Sequence, residues 1–272
     1  MAKRSFQGKR VLLTGASSGI GWYLASELVR AGALVVVTAR REERLQKLRQ
    51  SFGNPRKRLI AVPGDISEAS HRQRLIETCV EQLGGLDIVI NNAGVGAIGN
   101  FADASPERLR RIFDVDFFAA AELTRLAIPH LRAGHESAIC VVSSVLGHRA
   151  VPGKSEYCAA KFAMRGWAES LRVELKPSNV DVLTISPSTT KSEFFGSLID
   201  SQLPTMAKLS GLPGLFGPQS AERVANTILQ ALKGRKRDLI LSPGGKALVW
   251  LSQLAPRLTD QLLLRYGMPA GC

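Results

Sequence analysis

Two side chains in the second half of the chain have the types and spacing for acid–base chemistry. Tyr157 and Lys161 lie four residues apart in a stretch with a helical pattern, so their side chains share one face of the predicted helix. A free tyrosine has a pKa of about 10 and is a poor base at neutral pH. A nearby ammonium group stabilises the phenolate and lowers that pKa. In an arbitrary helix the same pair would be an ordinary surface pair without chemistry, so the motifs elsewhere decide its interpretation.

A glycine-rich turn near the N-terminus predicts a dinucleotide site. The sequence Thr14-Gly15-Ala-Ser-Ser-Gly19-Ile20-Gly21 stands between a buried strand pattern and an amphipathic helix pattern. Glycines there permit a tight turn and a close approach of the backbone to a pyrophosphate, whose charge the helix N-terminus stabilises. Tight turns also use glycine for other reasons, so the position between strand and helix is what favours the dinucleotide.

Two arginines predict which dinucleotide is bound. An acidic residue about 20 residues after such a turn usually binds the ribose 2′-hydroxyl, but here the second strand is followed by Arg40 and Arg41. Arginines can hold a 2′-phosphate by charge-assisted hydrogen bonds, whereas an acid would repel it. The alternative is that both are solvated charges at a helix start, an interpretation that the unfavourable helix dipole weakens. We therefore predict NADP(H) in preference to NAD(H).

Strand and helix patterns alternate along the chain and predict the elements that position these groups. The predicted strands cover residues 10–14, 33–38, 58–62, 87–90, 138–142, 180–185 and 238–241. The predicted helices cover residues 20–31, 42–49, 68–83, 105–132, 156–175 and 221–233, with Ser105 as N-cap of the fourth and Pro106 in its first turn. This alternation predicts an α/β fold, a doubly wound Rossmann-type parallel sheet of about seven strands with helices on both faces.

The alternation also predicts the organisation of the chain. We assign residues 1–243 to one dinucleotide-binding catalytic domain, interrupted by a long substrate loop at about 193–218. Residues 244–272 are assigned to a basic and apolar C-terminal extension with helices at 246–254 and 258–266, which Pro256 separates.

Five motifs, taken together, resemble those of short-chain dehydrogenases/reductases (SDRs). They are Thr14-Gly15-x-x-x-Gly19-x-Gly21, Asn91-Asn92-Ala93-Gly94, Ser144, Tyr157-Cys-Ala-Ala-Lys161 and Ser186-Pro187, spread over roughly residues 8–242. The resemblance implies that Tyr157 donates a proton to a carbonyl during reduction and removes it during oxidation. It also implies that Lys161 binds the nicotinamide ribose and that Ser144 hydrogen-bonds the substrate oxygen. Ser143 is the alternative candidate for the role of Ser144.

The resemblance and the two arginines together give a predicted set of cofactor-binding residues. They are Gly15, Ser17, Ser18, Gly19, Ile20, Gly21, Arg40, Arg41, Asp65, Ile66, Asn92, Ala93, Gly94, Tyr157, Lys161, Pro187, Thr190 and Ser192. Asp65 resembles the family's adenine contact, although an ordinary aspartate in a strand-end turn is nearly as good an interpretation. The helices predicted at 105–132 and 156–175 resemble the family's dimer faces, which implies a homodimer or homotetramer.

Two positions depart from the family's pattern. The family's catalytic asparagine corresponds here to Asp116, which we count among the catalytic candidates. A carboxylate only accepts hydrogen bonds and adds negative charge, so near Lys161 it would keep the lysine protonated but weaken the field that favours the Tyr157 phenolate. We therefore hypothesise an altered proton relay with a more alkaline optimum for oxidation. The family's Pro-Gly after the sixth strand is here Pro187-Ser188, which restricts the backbone if φ is positive there.

Composition limits the class of protein and its partners. The 272 residues include 36 Lys and Arg against 23 Asp and Glu, a formal net charge of +13 that suits nucleic acid, an anionic membrane or a phosphate-rich ligand. Basic residues are not interleaved with aromatic ones in a recognisable module, so nucleic acid is not expected. The four cysteines form no CxxC pair, so we expect reduced thiols and no metal site. No apolar stretch approaches the length of a bilayer span, so we expect a cytoplasmic protein.

Two function hypotheses remain. The first is an NADP(H)-dependent oxidoreductase that interconverts a carbonyl and a secondary alcohol on an apolar small molecule. Its substrate would lie under the apolar side chains of the loop at 193–218. For most of these side chains, packing of the loop onto the domain is an equally good interpretation. They are Phe194, Phe195, Leu198, Ile199, Leu203, Leu209, Leu212, Leu215 and Phe216.

The alternative is a membrane-surface or scaffold protein that retains a dinucleotide-sensing site with weak or no catalysis. Apolar residues of the C-terminal extension stand beside basic ones, and residues 233–272 hold seven Lys and Arg against two Asp, a net charge of +5. Such a segment can make a peripheral contact with a membrane surface. A helix pair packed on its own domain or on a second subunit is the interpretation that we favour.

Overall fold

A parallel sheet forms the centre of the computed structural model, in which residues 3–53, 58–191, 198–199 and 218–266 are described. The strands are β1 (Arg10–Thr14), β2 (Leu34–Thr38), β3 (Leu59–Ala61), β4 (Ile88–Asn91), β5 (Ala138–Val142), β6 (Asp181–Ser186), β7 (Thr190–Lys191), β8 (Gln219–Ser220) and β9 (Asp238–Ile240). Seven of them form the sheet, and the predicted strand ends are correct to within one residue. The pair β7 and β8 lies outside this sheet and was not predicted, because two residues are too few to show a hydrophobic period.

The order of the strands creates the crevice in which doubly wound folds bind their ligands. From edge to edge the order is β3-β2-β1-β4-β5-β6-β9, with every neighbouring pair parallel. The chain moves outward from β1 to β3 and then returns to β4 on the other side of β1, so the winding direction switches between β1 and β4. Ligands of such sheets bind beyond the carboxyl ends of the strands at this switch. The turns that follow Thr14 and Asn91 leave the sheet there side by side.

Helices cover both faces of the sheet, as predicted. They are α1 (Gly19–Arg30), α2 (Glu42–Gln50), α3 (Ala69–Leu83), α4 (Pro106–Phe113), α5 (Ala119–Arg132), α6 (Ser155–Glu174), α7 (Ala221–Lys233), α8 (Pro243–Leu254) and α9 (Pro256–Tyr266). Successive side chains of a strand point to opposite faces. Val11 and Leu13 therefore belong to one apolar core with α1, α2 and α7, whereas Leu12 belongs to a second core with α3, α5 and α6. Packing of both cores against the sheet fixes the positions of the strand ends that carry the site.

The helical stretch predicted at residues 105–132 contains a π-helical turn. Ser105 caps α4 by accepting a hydrogen bond from the Arg108 backbone N at 3.2 Å, and Pro106 occupies the first turn, as predicted. Between α4 and α5, residues Asp114–Phe118 form a π-helix. Such turns are rare and occur frequently at functional sites, and the wider turn changes the direction in which a side chain leaves the helix. Here the turn carries Asp116, which is fully buried.

Two helices form the C-terminal segment, with starts that differ from the prediction. Helix α8 begins three residues early because Ser242 accepts a hydrogen bond from the Gly245 backbone N at 2.9 Å and Pro243 fits the first turn. Pro256 begins α9 instead of lying between the helices, since a first-turn residue needs no N–H donor. Among the described residues, no helix is long and apolar enough to cross a membrane. The division of the chain at residue 243 stays a prediction.

Candidate active site

The glycine turn between β1 and α1 lies at the switch in winding direction, and two of its glycines leave no room for a side chain. Gly15 has a φ of +71°, and a Cβ there would lie 2.8 Å from the Ala93 Cα. A Cβ on Gly21 would lie 2.1 Å from the Gly15 backbone oxygen. The predicted residues Gly19 and Ile20 begin α1, where backbone N–H groups are available to an anion. This tight backbone cradle fits the pyrophosphate of a dinucleotide.

Thr14 joins the glycine turn to the turn that follows β4. Its Oγ1 accepts hydrogen bonds from the backbone N–H groups of Asn92 and Ala93, both at 3.0 Å. The Asn92 Nδ2 donates to the backbone oxygens of Thr14 and Gly15 at 3.0 and 3.1 Å. The structure therefore brings Gly15, Asn92 and Ala93 together. The linking role of Thr14 was missed, because its partners follow only from the pairing of β1 with β4.

Arg41 is anchored on the two serines of the glycine turn. Its guanidinium donates to the Ser17 Oγ, at 3.0 Å from Nη2 and 3.2 Å from Nε, and to the Ser18 Oγ at 2.7 Å from Nη2. Three of the predicted cofactor-binding residues thus converge at one point. Both arginines are exposed, and Arg40 lies beside this point. A guanidinium next to two hydroxyls is a donor set suited to a phosphate monoester.

Asp65, after β3, is held by an arginine that the sequence did not single out. Its Oδ2 accepts a hydrogen bond from Arg111 Nη2 at 2.6 Å, and its Oδ1 accepts from the Ser67 backbone N and Oγ at 2.9 and 2.7 Å. Burial alone would raise the pKa of Asp65, but the hydrogen bonds from Arg111 and Ser67 lower it to about 2. Both oxygens therefore already fix the turn that carries the buried Ile66. The adenine contact of Asp65 and the cofactor contact of Ile66 stay predictions.

Ser144 and Tyr157 meet at the carboxyl end of β5. The Ser144 Oγ accepts a hydrogen bond from the Leu146 backbone N at 3.1 Å, which orients the turn after the strand. The Ser144 side chain is also hydrogen-bonded to Tyr157. Ser143, the competing serine, instead donates its hydroxyl to the Lys161 backbone oxygen at 3.1 Å. The structure therefore pairs Ser144 with the tyrosine and uses Ser143 to tie β5 to α6.

Lys161 is buried in α6, and acceptors surround its ammonium group. The Nζ lies 3.0 Å from the Asp116 Oδ2, 3.4 Å from the Val142 backbone oxygen and 3.4 Å from the Met164 Sδ. It also lies 5.4 Å from the centroid of the Tyr157 ring, within the range of a cation–π contact. The four catalytic candidates, Ser144, Tyr157, Lys161 and Asp116, thus form one contiguous cluster.

Burial and charge act on the pKa values of this cluster in opposing directions. Burial raises the pKa of Asp116, against the effects of Lys161 and of a 2.7 Å hydrogen bond from the Val95 backbone N. Burial would lower the pKa of Lys161, but the charges of Asp116 and Tyr157 outweigh it, so its pKa is raised and it stays an ammonium. Burial raises the pKa of Tyr157, Lys161 lowers it and Asp116 raises it, with a net upward shift. Asp116 therefore opposes the phenolate electrostatically, in the direction that the sequence hypothesis requires.

The segment after β6 tolerates the loss of the family's glycine. Ser188 is not among the residues with positive φ, so its side chain causes no backbone strain there. The Pro187 backbone oxygen accepts a hydrogen bond from the Val145 backbone N at 2.9 Å, which ties this segment to the turn after Ser144. The Thr190 Oγ1 donates to the Ser188 backbone oxygen at 3.1 Å. Ser192 and the loop at 193–218, except residues 198, 199 and 218, lie outside the described residues.

Comparison with known proteins agrees with this geometry. A family model described as short chain dehydrogenase matches residues 9–202. The chain belongs to this family. The uncharacterized oxidoreductase YxnA of Bacillus subtilis (strain 168) is 35% identical over 259 residues, which cover 93% of this chain and 70% of that protein. A dehydrogenase/reductase SDR family protein 7-like of Anopheles gambiae is 32% identical over 259 residues, which cover 93% of this chain and 81% of that protein.

Solved structures of short-chain dehydrogenases share the fold. One from Burkholderia phymatum, in complex with NAD, has a TM-score of 0.82 over 99% of both chains at 23% identity. Another from Burkholderia cenocepacia J2315, in complex with NADP, has a TM-score of 0.79 at 28% identity, covering 89% of this chain and all of that chain. The predicted family and fold are confirmed, and the chain is an oxidoreductase of this family.

A buried ion pair, which sequence reasoning missed, fixes the start of α6 in this short-chain dehydrogenase. Glu156 immediately precedes Tyr157, and its Oε1 accepts hydrogen bonds from Arg108 Nε at 2.9 Å and Nη2 at 2.6 Å. The Ser155 Oγ donates to its other oxygen at 3.0 Å. The two charged side chains are only 3% and 1% exposed. The pair links α4 to the residue beside the tyrosine, and no local pattern reveals partners 48 positions apart.

Breaking this ion pair tests its contribution to stability. We predict that Arg108→Met lowers the free energy of unfolding by about 3–5 kcal/mol, because it leaves the Glu156 carboxylate buried without its partner. The matched control is Arg125→Met, which breaks the exposed pair with Glu122 and should leave the free energy of unfolding almost unchanged. Urea unfolding of both variants makes the measurement. Equal losses in the two variants would contradict a special role for the buried pair.

Proposed function

We propose that this short-chain dehydrogenase interconverts a carbonyl and a secondary alcohol on an apolar small molecule, with NADP(H) as cofactor. The observation that carries the proposal is the cluster of Ser144, Tyr157 and Lys161 beyond the carboxyl end of β5, beside the glycine cradle at the switch point. Acid–base chemistry at a carbonyl oxygen needs a hydrogen-bonding hydroxyl, a proton donor and a positive charge. The Ser144 hydroxyl, the Tyr157 phenol and the Lys161 ammonium provide these.

The protein's own residues handle the proton and the orientation of the substrate. A bound nicotinamide supplies or accepts the hydride. Ser144 hydrogen-bonds the substrate oxygen, and Tyr157 donates a proton to it during reduction or removes one during oxidation. Lys161 stabilises the charge on the phenolate and hydrogen-bonds the cofactor ribose. Its contacts with the Val142 oxygen and the Met164 Sδ, both at 3.4 Å, are weaker than its 3.0 Å contact with Asp116, so the ribose can replace one of them. Asp116 holds the lysine in its charged form.

The preference for the phosphorylated cofactor rests on Arg41. Its contacts with Ser17 and Ser18 join a cation that follows β2 to two hydroxyls of the glycine turn, about where a 2′-phosphate is expected to lie. The relative from Burkholderia cenocepacia was solved with NADP and the one from Burkholderia phymatum with NAD, so both cofactors occur among these structures. The donor set of this chain favours NADP(H).

An apolar substrate is supported by the segment that follows β4. Val95, Ala97 and Ile98 are buried there, and Ile199 pairs with this segment through a hydrogen bond from its backbone N to the Gly96 oxygen at 2.8 Å. The Gly99 N donates to the Gly153 oxygen at 3.0 Å, which brings the segment close to the start of α6 and Tyr157. Val95 and Ala97 belong to the apolar core on this face, and the resulting apolar surroundings of Tyr157 support a substrate with few polar groups besides its carbonyl.

The expected homodimer or homotetramer stays a prediction. Phe118 and Phe162, from the two helical stretches that resemble the family's dimer faces, are 52% and 42% exposed, and large apolar side chains at such positions support a subunit contact.

Replacing the phenol tests the proposed reaction. We predict that the protein oxidises NADPH in the presence of some members of a panel of apolar ketones and aldehydes. Tyr157→Phe should reduce this turnover about a hundredfold or more, because the general acid is removed. A fluorescence titration should show that this variant still binds NADPH. The control Tyr23→Phe, which alters an exposed tyrosine of α1, should keep full activity. Unchanged turnover in Tyr157→Phe, or no turnover of the panel by the natural protein, would refute the reaction.

Neutralising one arginine tests the cofactor preference. We predict that Arg41→Gln weakens NADPH binding roughly tenfold or more while NADH binding changes little, because only NADPH has the 2′-phosphate. Fluorescence titration of both cofactors gives the Kd values. Lys47→Gln, which removes an exposed positive charge from the same helix, should leave both affinities in place. Equal Kd values for NADPH and NADH in the natural protein would overturn the preference.

A further inference from the structure

Helices α8 and α9 expose an unusual share of the large apolar side chains. Eleven large apolar residues are exposed in the described part of the chain, and five of them lie within residues 243–266. They are Trp250 at 68%, Leu254 at 81%, Leu258 at 48%, Leu262 at 40% and Leu264 at 64% exposure. Several exposed large apolar side chains on two adjacent helices indicate an interaction site in a folded protein.

The apolar residues form stripes that each include a basic residue. Along α8, Lys246, Trp250 and Leu254 follow one another at intervals of four and share a face of the helix. Along α9, Leu258 and Leu262 are followed by Arg265 at the spacing that keeps it on their side. Helices that lie in the plane of a bilayer interface combine leucine and tryptophan with basic residues in this way.

This surface could bind a second copy of the chain or an anionic lipid bilayer, and its charge distinguishes between the two. Lys246, Arg257 and Arg265 stand against one acidic residue, Asp260, so residues 243–266 carry a net charge of +2. Asp260 is already paired with Arg149 in the domain. A two-fold contact between the α8 and α9 surfaces of two copies would bring these like charges together. An anionic lipid surface attracts the same residues.

The helix pair is attached to the active site itself. A Cβ on Gly245 in the first turn of α8 would lie 2.7 Å from a Val145 methyl group, so α8 packs in close contact with the residue after Ser144. Arg149, a few residues further along the same turn, bonds Asp260 of α9. Whatever binds α8 and α9 therefore lies beside the loop that orients Ser144.

We propose that α8 and α9 form an interfacial surface that binds the headgroup region of an anionic lipid bilayer. The apolar side chains insert at the headgroup boundary while Lys246, Arg257 and Arg265 contact lipid phosphates. If the proposed function holds, this surface brings the active site close to a reservoir of apolar carbonyl compounds dissolved in lipid. The binding itself does not depend on turnover.

Co-sedimentation of the full-length protein with vesicles tests the surface. The natural protein should bind vesicles of phosphatidylcholine and phosphatidylserine, and it should bind pure phosphatidylcholine vesicles much less. Trp250→Ser/Leu254→Ser should lower the partition coefficient roughly tenfold or more. Lys246→Gln/Arg257→Gln should weaken binding to the anionic vesicles and reduce its dependence on salt. The control Val80→Ser/Val173→Ser removes two exposed apolar side chains elsewhere and should bind like the natural protein.

The same variants show whether the proposal is wrong. Absence of binding to anionic vesicles, or binding that Trp250→Ser/Leu254→Ser leaves unchanged, would overturn it. A drop in molecular mass of Trp250→Ser/Leu254→Ser in sedimentation equilibrium would instead identify a second copy of the chain as the occupant, and would also overturn it. Unchanged NADPH binding shows that each variant is folded, and because that readout is separate from turnover, failure of the catalytic proposal would not affect the outcome.

Discussion

The buried ion pair between Asp116 and Lys161 is the interaction around which the catalytic side of this molecule is arranged. Two charges removed from water are stable only with good geometry and further hydrogen bonds. The π-helical turn between α4 and α5 and the N–H of Val95 provide these for the carboxylate, and the Val142 oxygen does so for the ammonium. The π-helical turn, the segment after β4, β5 and α6 are thereby fixed relative to one another. Tyr157 lies on the same helix as Lys161, so the contacts that hold Lys161 in place also fix the position of Tyr157.

The cofactor side depends on backbone contact rather than on charge. Gly15 and Gly21 let the first turn of α1 close on itself and on Ala93, and Thr14 then joins the turns after β1 and β4. Charge enters only at the edge, where Arg41 is held by the two serines of the same turn. In the proposed function, separate groups therefore bind the common dinucleotide core and the 2′-phosphate.

Much of the fold and part of the site could be predicted from the sequence. Buried parallel strands have continuous apolar runs with sharp ends, so their bounds are nearly correct, and residues four apart on a helix, such as Tyr157 and Lys161, must share a face. The π-helical turn could not be predicted, because residues 114–118 differ little from an α-helical pattern. Arg108 with Glu156, Arg111 with Asp65, and Thr14 with Asn92 are pairs distant in sequence. Their contacts depend on how the helices and strands pack, which no local pattern contains.

The arrangement predicts that Asp116 raises the proton affinity of Tyr157, in addition to the effect of burial and against that of Lys161. Oxidation requires the phenolate, so its rate should rise with pH through the pKa of Tyr157. Asp116→Asn removes the negative charge that raises this pKa, and the pH–rate profile for alcohol oxidation should therefore move to lower pH. The control Asp114→Asn, an exposed change in the same π-helical turn, should keep the natural profile. A profile that Asp116→Asn leaves unchanged, in a variant that still binds NADP(H), would contradict the claim.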